Sequence, residues 1–71
     1  MKLIVNGKEI ESNAGLTVNQ LLVEQDVKMP DMVSVELNAQ ILKRSQFESV
    51  QLKDGDKIEF LYFMGGGNGI N

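Results

Sequence analysis

The sequence predicts an α+β domain, a mixed β-sheet covered on one face by a single main α-helix. Three observations carry this. Asn6-Gly7 lies between two short β-forming runs, the signature of a two-residue hairpin. Only the stretch after Thr17 has apolar residues at helical spacing. The remaining apolar residues alternate with polar ones or form short runs bounded by turn residues, as strands do. With 71 residues the chain makes one domain. A domain of this size buries roughly 60% of its unfolded surface, so one core is possible and its stability is modest.

Each element follows in order. Leu3, Ile4 and Val5 are β-formers, and Asn6-Gly7 suits a type I′ turn because both of its central positions need φ > 0. With Leu3 and Val5 facing inward, Ile4 faces the other way. Lys8 to Ser12 alternates around Ile10, and Asn13-Ala14-Gly15 breaks the strand. Thr17 and Gln20 make a T-x-x-Q capping box, in which hydroxyl and amide satisfy two orphan backbone groups reciprocally. Val18, Leu21 and Leu22 give the helix one apolar face, and Pro30 prevents its continuation. Glu24 and Asp26 late in the helix oppose its dipole.

Val33, Val35 and Leu37 alternate with Ser34 and Glu36, a half-buried strand. Asn38-Ala39 turns the chain into a short Ile41-Leu42 strand. Lys43 and Arg44 lead to a polar connection with one helical turn pinned by Phe47, followed by Val50 and Leu52. Lys53-Asp54-Gly55-Asp56 is a turn, and Lys57 to Met64 is the longest strand. The order strand, strand, helix, strand, strand, strand with one covering helix is the β-grasp arrangement of ubiquitin. By analogy with that fold, the first and last strands lie parallel at the centre of the sheet. Residues 1–64 form the domain, and residues 65–71 form a flexible Gly-rich tail.

Composition removes many functions. Hydrophobic residues are 42% and charged residues 24%, ordinary for a folded protein. Ten acids against seven bases leave a formal charge of -3, which argues against a nucleic-acid or anionic-membrane surface. No apolar run approaches the ~20 residues that span a bilayer, and no signal peptide opens the chain, so the expected compartment is the cytoplasm. There is no Cys and no His. That excludes a disulfide framework, a zinc knuckle, a thiol nucleophile and an imidazole base, and it argues that the chain is not an enzyme. Asp54 and Asp56 flank Gly55 without a third ligand at calcium-loop spacing, so no metal site is expected. Lys43-Arg44 is too short for a nucleic-acid patch but could pair with an acidic partner surface. The isolated chain is expected to be a monomer.

The tail is where chemistry remains. Gly65-Gly66-Gly67 follows the last strand without a spacer. A Gly-rich end is by itself ordinary fraying. These glycines, however, are consecutive and begin abruptly at an apolar strand. Without Cβ atoms such a backbone can thread a tunnel too narrow for side chains. Three extended residues reach roughly 10 Å, enough to deliver a terminal carboxylate into another protein's active site. That carboxylate, with a pKa near ~3.5, is ionised and unreactive until it is activated, for instance by adenylation. On the last strand, Leu61 and Phe63 share the Lys57/Glu59 face and should be exposed, a docking patch that Ile4 on the parallel neighbour could extend. The alternative is that a loop covers this face, for instance at Phe47.

These residues resemble a known family. The run Val33-Ser34-Val35-Glu36-Leu37-Asn38, then Ile41, Arg44-Ser45, Leu52-Lys53-Asp54-Gly55-Asp56, Ile58-Glu59 and Phe63-Met64-Gly65-Gly66-Gly67, is similar to the ThiS sulfur carriers of thiamine biosynthesis. Asn6-Gly7, Leu16-Thr17-Val18 and Leu21-Leu22 fit as well. The likeness covers residues 1–67. The related MoaD carriers share the fold and the Gly-Gly end. The resemblance implies that an E1-like adenylating enzyme activates the C-terminal glycine and that sulfur then displaces AMP to give a thiocarboxylate. A sulfur-accepting synthase, of the thiazole synthase or amino-acid sulfhydrylase type, consumes that sulfur. The chain itself would bind no cofactor, ATP and magnesium being used by the activating partner. Gly67 would be the acceptor, with Gly66 as the alternative.

Three departures stand out. Lys43 occupies a position where the family commonly has Pro, and Phe47 one where it commonly has Trp. Asn68-Gly69-Ile70-Asn71 follows the glycine at which the family normally ends. An internal carbonyl cannot be adenylated as a carboxylate, so residues 68–71 must first be removed. Some bacterial carriers of cysteine or homocysteine synthesis resemble this arrangement, their extension being trimmed by a JAMM-type protease. Two other readings stay open, a ubiquitin-like protein modifier and an interaction module that is never activated.

Overall fold

Strands β1 (Lys2–Val5) and β2 (Lys8–Glu11) form an antiparallel hairpin, with Leu3 opposite Ile10 and Ile4 opposite Glu9. The structure, a computed structural model, describes residues 1–62. Asn6 and Gly7 both have positive φ, 51° and 82°, as the type I′ turn requires. Helix α1 (Val18–Glu24) follows, then a 3-10 turn at Pro30–Met32, β3 (Val33–Leu37), β4 (Gln40–Ile41), a second 3-10 turn at Arg44–Gln46, and β5 (Lys57–Tyr62). The sheet order is β2-β1-β5-β3-β4. β5 is central, parallel to β1 and antiparallel to β3, which is the expected β-grasp topology.

One face of the sheet meets the helix. Leu3 and Val5, Val33 and Val35, and Ile58 and Phe60 are buried there against Val18, Leu21 and Leu22. Burial of each such side chain is worth about 1.5–3 kcal/mol. Leu16, Phe47 and Leu52 close the same core from the connections. Phe47 therefore lies on the helix side, and it does not cover the opposite face of the sheet.

The helix begins as predicted and ends differently. The Thr17 hydroxyl accepts from Gln20 N–H at 3.2 Å, and the Gln20 side chain accepts from Thr17 N–H at 2.9 Å. The other early helix donors find backbone partners, Val18 N–H on the Val50 carbonyl and Asn19 N–H on the Phe47 carbonyl. The helix stops at Gln25, well before Pro30. Asp26 takes the left-handed conformation, φ 55°, while its N–H donates to Val23 O and Val27 N–H donates to Leu22 O. This is a Schellman motif with Asp where Gly is usual.

The β3–β4 hairpin is also shifted. Asn38 and Ala39 both have positive φ, 51° and 71°, so the turn is type I′ and pairs Leu37 with Gln40 and Glu36 with Ile41. The short strand is thus Gln40–Ile41 instead of Ile41-Leu42. Leu42 is half-buried and packs against the core.

Candidate functional site

β5 leads in sequence to the glycines, so its surroundings define the candidate site. The face of the sheet away from the helix consists of three rows. Glu9, Ile4 and Lys57 lie side by side in the first; Glu59, Glu36 and Ile41 in the second; Leu61 and Ser34 in the third. Leu61 is 39% exposed, as the alternation predicts, and Ile4 is half-buried. The two do not adjoin. Ile4 is level with Lys57, four residues before Leu61, or roughly 13 Å along the strand. Tyr62 shares the parity of Ile58 and Phe60 yet is 47% exposed. Near it, Met32 just before β3 is 42% exposed. Phe63, Met64 and the glycines Gly65, Gly66 and Gly67 lie outside the described residues, as do residues 68–71.

The start of β5 is set by a polar network that sequence reasoning read only as turn residues. Asp54 Oδ1 accepts from Lys2 N–H at 2.7 Å, and Asp56 Oδ2 accepts from Lys53 N–H at 2.8 Å. Asp56 Oδ1 accepts from the Asn38 amide at 3.0 Å, and Asn38 Oδ1 accepts from Lys57 N–H at 3.0 Å. Among the described residues, no group of three or more His, Cys, Asp or Glu could hold a metal ion, and these aspartates are spent on backbone donors. Further along, Asn6 N–H donates to Ile58 O and the Asn6 side-chain oxygen accepts from Phe60 N–H, both at 2.8 Å. The turn residue extends the parallel ladder after its own backbone has left it.

Arg44 is engaged within the fold, contrary to the expectation that it faces a partner. Its guanidinium donates to the carbonyls of Pro30, Asp31 and Val33 at 2.9, 2.6 and 2.7 Å and lies 5.5 Å from the Phe47 ring centroid. Five donors in a planar fork make this bridging natural for Arg. It pins the start of β3, whose first residue Val33 pairs with Tyr62. Lys43, in place of the family's common Pro, donates its N–H to Gln46 Oε1 at 2.8 Å, a bond proline cannot make. Sequence reasoning missed both clamps because each joins residues distant in chain or hidden in a loop.

Among the described residues, no helix is long and apolar enough to cross a membrane. Comparison with known proteins adds what geometry cannot. The ThiS family matches residues 2–67, so the match ends at Gly67 and leaves Asn68 to Asn71 outside it. A thiazole synthase of Paramagnetospirillum magneticum is 43% identical over 68 residues, covering 96% of this chain and 21% of that protein. A thiazole synthase of Magnetococcus marinus is 36% identical over 67 residues, covering 94% and 20%. The chain thus spans about a fifth of the length of these first relatives. The sulfur carrier protein ThiS of Bacillus subtilis is 34% identical, with 92% of this chain and 98% of that protein covered. The crystal structure of a thiamine biosynthesis protein (ThiS) from Geobacter metallireducens superposes with a TM-score of 0.83 at 46% identity, covering 94% of this chain and all of that one. The shared β-grasp fold, the match across residues 2–67 and the full-length likeness to a sulfur carrier place the chain in one group: it belongs to the ThiS family.

Proposed function

We propose that this chain is a sulfur carrier of thiamine biosynthesis and catalyses nothing itself. The observation that carries the reading is the end of the family match at Gly67, on the consecutive glycines that follow the central strand. An E1-like enzyme adenylates the Gly67 carboxylate with ATP and magnesium, releasing pyrophosphate. A sulfur nucleophile then displaces AMP to leave a thiocarboxylate. Relatives named thiazole synthase support a thiazole synthase as the acceptor over an amino-acid sulfhydrylase. Gly65 and Gly66 form the arm, and Leu61 with Phe63 contributes to docking. Asn68 to Asn71 block the carboxylate, so a protease of the JAMM type cuts after Gly67.

The test compares two forms of the chain, residues 1–71 and residues 1–67. Each is incubated with the E1-like enzyme of the same genome, ATP, magnesium and sulfide, and its intact mass is read. The form ending at Gly67 gains the mass of one oxygen-to-sulfur exchange, and the longer form does not. A shorter form that is never adenylated would remove the carrier reading. High-mass adducts to partner lysines in cell extract would favour a protein modifier instead.

A further inference from the structure

The open face of the sheet carries a charge pattern that the fold does not explain. Glu36 on β3 lies directly opposite Glu59 on β5. Residues so placed have Cβ atoms about 4.5–5.5 Å apart, and like charges there destabilise the pair. Among the described residues, the ion pairs are the Met1 amino group with Glu11 and Lys28 with Asp26, so neither Glu36 nor Glu59 is relieved by one. The two carboxylates border a depression of about 360 Å³ that Asn38, Ala39 and Lys57 complete. Exposed apolar side chains flank it. Ile41, 60% exposed, lies beside Glu36, and Leu61, 39% exposed, is two residues past Glu59.

We propose that Glu36 and Glu59, flanked by Ile41 and Leu61, form the docking site for an arginine or lysine on the adenylating enzyme. This rests on the sulfur-carrier reading above. Charge complementarity is the first argument. The opposed carboxylates are a cost to the isolated chain, and a cation placed between them turns the cost into attraction. A planar guanidinium suits two neighbouring carboxylates. The apolar flanks exclude water from the contact, which lowers the local dielectric and strengthens it. Continuity is the second argument. Glu59 and Leu61 are on the strand that leads in sequence to Gly67, so an enzyme that takes the glycine lies against this face. The choice of activator over acceptor follows from chemistry. Before activation the terminus is an ordinary α-carboxylate, so the enzyme must recognise the carrier by its fold. An acceptor synthase meets the thiocarboxylate itself.

The experiment titrates the full chain and its variants into the E1-like enzyme of the same genome, with melting curves of each variant alone. Glu59→Gln should raise the melting temperature of the free chain, because the repulsion is relieved. The same change should weaken binding roughly tenfold, about 1.4 kcal/mol. Added salt should weaken the native chain more than the variant. Glu48→Gln, an exposed acid in a loop away from this face, serves as the control and should bind as the native chain does. If Glu59→Gln and Glu36→Gln bind with native affinity while the native chain still becomes a thiocarboxylate, the docking site is wrong and the carrier reading stands. If the variants lose binding to the acceptor synthase only, the assignment to the activating enzyme is wrong. A native chain that neither binds nor reacts overturns both.

Discussion

Ala39 holds a left-handed backbone, φ 71°, at the second central position of its turn. A Cβ in that conformation costs roughly 1–2 kcal/mol, and glycine, though more costly in entropy, avoids it. Ala39→Gly should therefore stabilise the chain by about 0.5–1 kcal/mol, read as a higher urea midpoint with an unchanged slope. An unchanged or lower midpoint would mean that the strain is relieved elsewhere. Asn6 shows the opposite case. It satisfies the left-handed turn and also caps the ladder on Phe60, so its side chain cannot be exchanged for glycine without loss. The sequence announced the turn at Asn6-Gly7, since that dipeptide is a local signal. It was silent on the bond to Phe60, which joins residues 54 apart in the chain.

At the scale of elements, hydrogen bonds between connections do what secondary structure does elsewhere. The seven-residue helix is too short to persist alone, and its first donors are held by the Thr17–Gln20 box and by the carbonyls of Val50 and Phe47. The box was legible because its two residues are three apart. The carbonyls were not. Arg44 is the clearest element-scale clamp, tying the second 3-10 turn to the start of β3. A lysine ammonium is a single point of charge and cannot replace a fork that spans three carbonyls. Arg44→Lys should therefore cost about 1–2 kcal/mol in chemical denaturation. Full retention of stability would show that the guanidinium bonds are matched by water.

At the scale of the whole molecule, folding and function separate along the chain. The buried core runs from Leu3 to Phe60 and uses the helix face of the sheet, whereas the proposed chemistry begins at Gly65. Removing Gly66 and Gly67 from the form that ends at Gly67 touches none of those buried residues. The expected result is an unchanged melting temperature with complete loss of thiocarboxylate in the sulfide assay. A shortened chain that still receives sulfur would place the acceptor elsewhere. The open face belongs to this scale too. Its rows combine residues from four strands, and their neighbours exist only once the register is set.

The sequence by itself determined the β-grasp architecture, the helix start, the two hairpins and the glycine end. Those features rest on local rules: turn chemistry, capping and apolar spacing that read within a few residues. Tertiary structure decided where the helix stops, that Leu42 packs inward while Ile41 is exposed, that Arg44 is spent inside the fold, and that Ile4 is separated from Leu61. It also decided that Glu36 faces Glu59. Strand register governs the last three of these side-chain neighbours, and register is fixed by pairing among β1, β3, β4 and β5, which no single segment of the chain contains.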